Sequence, residues 1–484
     1  MPIRRYDLQL EPDSSRVLIR PFIPGEPSRI TAILARALSL SEEETERELS
    51  EVLKSFSDRH SNIEAVLQVH FERVSPHLFI SKPLSSSRQL FIGSLFTGEY
   101  ALESAALFNP SIVPHPDQTD LPAGSIRFIM SLRATGEGHI SSIEFRTGII
   151  DAECRITVDP VSRFVTAPEL LPNPSYFKIA LTRKLNEMGV GGEFSDRILA
   201  HLKDVFTLEE LKAAVETERL DLLHPSVDQQ RTIDCIRWLA ESNYQIKFDP
   251  AVNFSERIIF PVTANESNGI EDARFVRFED DDGTVTYYAT YTAYNGRVIL
   301  PQLIQTQDFE TFRVLSLNGK AVQNKGMALF PRKVNGKYVM ISRQDDENLF
   351  IMFSDHPHYW EEPQKLATPS QPWEYAKIGN CGSPIETEAG WLLITHGVGP
   401  MRRYCIGAML LDLDNPQKIL GRLSRPLLEP EGNEREGYVP NVVYTCGALR
   451  HGRQIILPYA MSDKASKIVS FSLDDLLAAL LKED

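Results

Sequence analysis

The chain is poor in cysteine, has no long apolar run and is short of positive charge, and each deficit narrows what it can be. Its five cysteines, Cys154, Cys235, Cys381, Cys405 and Cys446, are odd in number, widely spaced and without a CxxC pair. That argues against a disulfide framework or a zinc site and for buried free thiols. No stretch approaches the length of a membrane span, and the N-terminal MPIRRYDLQLEPDSS lacks the apolar segment of a secretory signal, so a cytoplasmic protein without a membrane partner is expected. Lys and Arg number 51 against 66 Asp and Glu, a formal charge of −15. Such a field opposes nucleic acid and favours a small or neutral partner, while still allowing a local basic pocket that holds a small anion.

What is present is a globular composition, 42% hydrophobic and 24% charged over 484 residues, enough for two or three domain-sized units. Helical periodicity runs through SEEETERELSEVLKSF and NIEAVLQVHFERV, then SDRILAHLKDVFTLEELKAAVE, then DQQRTIDCIRWLAESN. Ser41 and Ser195 read as N-caps, and Thr207 with Glu210 as a capping box. From about residue 244 the texture changes to short β-branched and aromatic runs between Gly, Asn and Asp turns, a strand pattern. A weak repeat recurs there: GTVTYYATYTAYNG, NGKYVMISRQDDENLFIMFSDHPHYW, AGWLLITHGVGPMRRYCIGAMLLDLDNP and HGRQIILPYAMSDKASKIVSFSLDD. An earlier copy is GSIRFIMSLRATGEGHISSIEFRTG at residues 124–148. Spacings of roughly 50 to 60 residues suit propeller blades. The expected fold is therefore mainly β, a five-bladed β-propeller with a helical N-terminal extension (1–100), a first blade (101–164), a helical insertion (165–243) and the remaining blades with a C-terminal helix (244–484).

At matching ends of the first strand of each copy stand Arg133, Tyr291 with Thr292, Arg343, His396 and Asp463. Singly, each has an ordinary explanation as a solvated or satisfied residue; their shared register would ring one central funnel. SNGIEDARF (267–275) immediately precedes the second copy and would deliver Glu271 and Asp272 to the same place, with Arg274 close enough to orient or neutralise a carboxylate. One acid of that pair, in an enclosed pocket beside a like charge, is expected to have a raised pKa, as a general acid requires; spacing alone does not choose between the two. Lys325 and Lys377 near blade starts, with Arg343 and His396, concentrate positive charge and suggest an anion, phosphate being the simplest.

Together FNPSIV, SLRATGEGHISSI, GIEDARF with TYTAY, NKGMALFPRKVNGKYVMISR, AKIGNCGSPIETEAGWLLITHGV, YCIGAMLLDLDNP and REGYVPNVVYTCG resemble glycoside hydrolase family 130, propeller enzymes that include β-mannoside phosphorylases and some β-mannosidases. The resemblance implies that Asp272 is the proton donor of an inverting reaction. It implies that Asn109, Arg133 and Asp463 hold the sugar in the −1 subsite, with Glu271 and Arg274 beside them, and that Lys325, Arg343, Lys377, His396 and Tyr404 gather phosphate. It implies no metal and no cofactor, phosphate being a co-substrate, and a β-mannoside oligosaccharide as the other partner.

Three functions compete. A phosphorylase giving mannose 1-phosphate needs one catalytic carboxylate, and its cations would repel one another without an anion. An inverting mannosidase needs a second carboxylate roughly 6.5 to 9.5 Å away to activate water, with Glu434 and Glu436 as candidates. A non-catalytic carbohydrate-binding propeller would need no acid at Asp272. The helical regions are expected to cover one rim of the funnel or to make a homo-oligomer contact.

Overall fold

The computed structural model describes residues 2–80, 82–171, 175–220, 222, 225–296 and 299–482. The protein is mostly β. Four successive strands, Ala106–Pro114, Ile126–Thr135, Ser141–Ile150 and Ile156–Val158, form an antiparallel unit. A second unit comprises Gly269–Glu279, Val285–Tyr294, Ile299–Thr306 and Thr311–Ser316. Parallel pairing of Gly269 with Ser141 joins these two into one eleven-stranded sheet. The third unit runs Ala328–Leu329, Tyr338–Ser342, Leu349–Ser354 and Pro363–Ala367. In the fourth, Lys377–Asn380 is followed by Gly390–Val398, Tyr404–Leu411 and Ile419–Arg422. The fifth orders Val443–Tyr444, Gln454–Met461 and Ala465–Ser472, and its outer strand is Ile3–Leu10 from the opposite end of the chain. That pairing covers a sheet edge that would otherwise be exposed.

Alternation explains the packing: along Gly390–Val398 and Gln454–Met461 nearly every residue is buried, because both faces of each sheet meet a neighbouring sheet. Leu392 and Ile394 join Leu457 and Tyr459 in one core, whereas Leu393 faces Ile341 and Ile351 in another.

The helices form where periodicity placed them, at Glu42–Phe56, Ile63–Val74, Glu193–Ala200, Leu208–Leu220 and Val227–Glu241. Ser41 caps its helix, accepting from Glu44 N–H at 3.1 Å while Glu44 accepts from Ser41 N–H at 2.8 Å. The Thr207–Glu210 box is formed in both directions. Ser195 is not an N-cap: the helix starts earlier, at Glu193 after Gly192, and the Ser195 hydroxyl reaches back to accept from Gly192 N–H at 2.9 Å. Helices Lys178–Glu187 through Val227–Glu241 share their own core around Leu185, Ile198, Phe206 and Ile236. Among the described residues, no helix is long and apolar enough to cross a membrane.

A buried ionic quartet ties these parts together. Arg16 pairs with Glu103 at 2.8 Å and Glu144 at 2.9 Å, and Arg146 pairs with the same two acids at 2.8 and 3.2 Å. Arg16 also donates to the carbonyls of Ser162 and Ser255, which flank the helical stretch. Burial and the Glu144 charge push the Glu103 carboxyl up to about 8. Removing one member of such a network strands the others away from water. Arg16→Met is therefore expected to cost about 3–5 kcal/mol, seen as a thermal unfolding midpoint lowered by several degrees; an unchanged midpoint would show that the quartet does not hold the fold.

Candidate active site

Two β-bulges build the centre. In Ala106–Pro114 the register slips between Phe108 and Ser111, and in Gly269–Glu279 between Glu271 and Arg274. Asn109 and Asp272, the residues in those slips, adopt positive φ of 49° and 54°, a conformation that Asn and Asp tolerate better than most residues and that often marks functional strain. Each bulge turns one polar side chain into a cavity of about 440 Å³ lined by residues of several units. Asp463 enters the same cavity at φ 52°.

Asn109 Nδ2 donates to Asp272 Oδ1 at 2.7 Å, and Arg133 donates to the same oxygen at 3.3 Å and to Glu271 Oε1 at 2.7 Å. Arg133 is itself set by Ser141 Oγ at 3.0 Å and by the Phe108 ring at 5.0 Å. Asp272 lines the cavity, while Glu271 does not: it serves as counter-charge to Arg133 and, at 3.9 Å, to Lys325. The bulge thus separates two adjacent carboxylates that spacing left equivalent.

The same cavity is lined by Lys325, Arg343, Lys377, His396 and Tyr404. Arg343 donates to His396 Nε2 at 3.1 Å, and the His396 and Tyr404 rings stack with centroids 6.0 Å apart. Gly379 permits this, because a Cβ there would lie 2.2 Å from His396 Cε1. Of the eleven residues that the resemblance assigns to the site, all except Glu271 line the cavity.

Several expectations are corrected. Burial works against ionisation of Asp272, but Arg133, Lys325, the Asn109 amide and Arg274 outweigh it and hold its carboxyl below the ordinary value. The raised acid is Asp463 instead, pushed up to about 6 by burial and by the Asp272 charge. The cations are not left to repel one another: Asp346 pairs with Lys377 at 2.9 Å and lies 3.5 Å from Arg343, and Glu271 answers Lys325. Burial and the neighbouring Arg343 hold the His396 pKa well down, so it is neutral and adds no charge. Arg274 lines the cavity, yet its hydrogen bonds go to Gly326 O at 2.8 Å, Asn380 O at 3.1 Å and the Tyr444 hydroxyl rather than to a carboxylate.

Tyr291 and Thr292 lie outside the cavity; alternation turns Tyr291 into the core with Ala289 and Ala293, where its hydroxyl donates to Glu266. Glu434 is buried elsewhere, accepting from Tyr459 at 2.6 Å and Arg5 at 3.1 Å, and Glu436 is exposed; neither lines the cavity. Among the described residues, none of 1–100 or 165–243 lines it either. Asn324, Asp346, Arg402 and Tyr444 do, and sequence reasoning missed them. All four lie inside stretches quoted above, but only Asp346, in the turn QDDEN, carried a signal of its own as one of two adjacent acids.

A carboxylate held by an amide and a guanidinium thus shares one polar cavity with a cluster of basic groups suited to an anion. The family model of glycoside hydrolase family 130, described as beta-1,4-mannooligosaccharide phosphorylase, matches residues 238–483, and the chain belongs to this family. It is 34% identical over 248 residues to the 1,2-beta-oligomannan phosphorylase of Thermoanaerobacter sp. (strain X514), a match covering 50% of this chain and 81% of that one. It is 31% identical over 229 residues to the beta-1,2-mannobiose phosphorylase of Listeria innocua, covering 46% of this chain and 63% of the relative. The solved structure of the Listeria innocua beta-1,2-mannobiose phosphorylase in complex with beta-1,2-mannobiose aligns with 79% of this chain and 93% of its own, at 21% identity and a TM-score of 0.47.

The coupling between the two cavity aspartates is testable. Removing the Asp272 charge in Asp272→Asn takes away a repulsion that disfavours ionised Asp463, so the Asp463 pKa should fall from about 6 towards the ordinary carboxylate value. Carboxyl-carbon NMR of aspartate-labelled protein follows it, and an Asp463 titration identical in wild type and variant would show the two groups to be independent.

Proposed function

We propose that the protein is an inverting β-mannoside phosphorylase: inorganic phosphate attacks the anomeric carbon while Asp272 protonates the departing glycosidic oxygen, releasing mannose 1-phosphate. The observation that carries this reading is the shared cavity, which brings Asp272, Asn109, Arg133 and Asp463 together with Lys325, Arg343, Lys377 and Tyr404. The family membership and the names of the relatives support it. Asn109, Arg133 and Asp463 are assigned to the transferred sugar. Lys325, Arg343, Lys377, Tyr404 and neutral His396 are assigned to phosphate, which is a co-substrate; no cofactor is invoked. Glu271 and Arg274 act through others, the first as counter-charge to Arg133 and the second as an anchor of the strands.

The low pKa of empty-site Asp272 fits this chemistry once both substrates are present. A phosphate dianion among Lys325, Arg343 and Lys377 offsets the field that keeps Asp272 ionised, and a bound sugar excludes water from it; both changes favour the protonated acid. The acid is then loaded only in the ternary complex. Phosphate oxygen forms the new bond to carbon as the glycosidic bond breaks, and the proton that hydrogen phosphate sheds can return to Asp272, so none is consumed overall.

An inverting mannosidase would need a second carboxylate to activate water. Glu434 and Glu436 lie outside the cavity, and of the further carboxylates inside it Asp346 is paired with Lys377 and Asp463 is assigned to the sugar, which weighs against that reading. The five antiparallel units are proposed as the blades of a five-bladed propeller, with 101–164 and 244–484 as the propeller and 1–100 and 165–243 as helical additions available for a contact between copies.

Incubation with short β-mannooligosaccharides, with and without inorganic phosphate, decides the reaction: mannose 1-phosphate should appear only with phosphate, and free mannose at an equal rate without it would favour the hydrolase. Asp272→Asn should bind sugar but lose several orders of magnitude in turnover, about the 10²–10⁴ ascribed to general acid catalysis or more; a near-normal rate would remove Asp272 from the mechanism. Arg343→Ala should raise the KM for phosphate more than that for the sugar, and equal effects on both would move Arg343 out of the phosphate group.

A further inference from the structure

Asp346 is a carboxylate placed inside a group of cations that the proposed reaction reserves for phosphate. It stands in the turn between Tyr338–Ser342 and Leu349–Ser354 and lines the cavity. The turn is locked by its neighbour: Asp345 accepts from the backbone N–H groups of Glu347 and Asn348 at 3.0 and 2.8 Å and from the Asn348 amide at 2.6 Å. With the turn so held, Asp346 sits at φ 60° and its side chain reaches from the third unit to the fourth, where Oδ2 meets Lys377 Nζ at 2.9 Å.

The match is incomplete in a telling way. Oδ1 lies 3.5 Å from Arg343 Nε, and that buried nitrogen has no hydrogen-bond partner among the described residues. The other face of the guanidinium donates to neutral His396. Asp346 therefore satisfies Lys377 and offsets part of the cluster's charge, but leaves the Arg343 Nε donor without a hydrogen bond. Its side chain is 52% exposed, so it is free to leave, whereas Arg343 is buried and fixed. A tetrahedral anion with several acceptor oxygens could engage Arg343 Nε and Lys377 together, and a dianion could not share the position with a carboxylate without strong repulsion.

We propose that Asp346 is a built-in counter-anion that occupies the phosphate position in the empty enzyme and competes with phosphate, thereby setting the enzyme's phosphate affinity. The inference rests on the phosphorylase reading above. Its energetic logic is that of a competing ligand at very high local concentration: Asp346 offsets part of the positive charge of Arg343 and Lys377, and phosphate binds only by displacing the carboxylate. Enzyme without phosphate is thereby protected from taking up weaker anions.

Asp346→Asn tests this, since Asn is nearly isosteric, tolerates the positive φ and keeps an oxygen acceptor for Lys377 while removing the charge. Initial rates of mannose 1-phosphate release from a short β-mannooligosaccharide are measured with inorganic phosphate varied, and sulfate serves as a non-reacting competitor. The expected result is a KM for phosphate lowered about tenfold, sulfate inhibiting at a correspondingly lower concentration, and the KM for the sugar unchanged. Asp346→Ser, which also removes the charge, should shift the phosphate KM in the same direction. A phosphate-dependent wild type with an unchanged or raised phosphate KM in the Asn variant overturns the inference alone and makes Asp346 a positioning residue for Lys377. A wild type whose rate ignores phosphate overturns the phosphorylase reading and this inference with it. Loss of phosphate-independent mannose release in the variant, with phosphate KM unaltered, would place Asp346 on water and also overturn it.

Discussion

The Arg274 guanidinium is the contact on which the centre of the molecule depends. It belongs to the inner strand of the second unit and donates to Gly326 O at the start of the third, to Asn380 O in the fourth and to the Tyr444 hydroxyl in the fifth. The first unit joins through Ser111 Oγ, which accepts from Phe275 N–H at 3.0 Å. Pro110 O, beside the first bulge, accepts from Cys446 N–H at 2.8 Å. Backbone carbonyls that no sheet ladder can use are thereby paired by a charged donor away from water, where such bonds are strong and their loss costly. Gly326, with φ 86°, supplies the turn that brings its carbonyl there.

With the inner strands fixed, the bulges can hold strained backbone. Asn109 and Asp272 sit in bulges on two different units, and the 2.7 Å hydrogen bond between them exists only because those units are locked side by side. The strain is balanced by the surrounding sheets, which bury nearly every residue of their central strands. A chain of net charge −15 thus encloses a cavity with Arg133, Arg274, Lys325, Arg343, Lys377 and Arg402 on its walls against Asp272, Asp346 and Asp463. The local excess of cations survives because Arg133, Arg274, Lys325, Arg343 and Lys377 are each tied to a backbone carbonyl, a carboxylate or a neutral ring nitrogen. An anionic substrate then meets a site whose geometry exists before it binds.

Much was legible in advance because the relevant signals are short in range. Ser41 with Glu44 and Thr207 with Glu210 announced helix starts within four residues, and the five hairpin stretches announced paired strands. Matching strand ends correctly brought Arg133, Arg343, His396 and Asp463 to one cavity. Tyr291 and Thr292 both failed the same rule: alternation within Val285–Tyr294 sent Tyr291 to the core, and Thr292 on the opposite face does not line the cavity either. Ser195 failed because a cap depends on where the first turn begins, which Gly192 moved.

By itself, then, the sequence determined the class of fold, the places of the helices and the set of polar residues from which the site is drawn, since periodicity, capping and strand register are local properties. The tertiary structure alone decided which of Glu271 and Asp272 faces the cavity, that Asp463 rather than Asp272 is the raised acid, that Glu434 is a buried partner of Tyr459, and that Asp346 stands among the cations. Each of those outcomes is set by a bulge or by the field of residues more than a hundred positions away or on another unit, and neither quantity can be computed from neighbours along the chain.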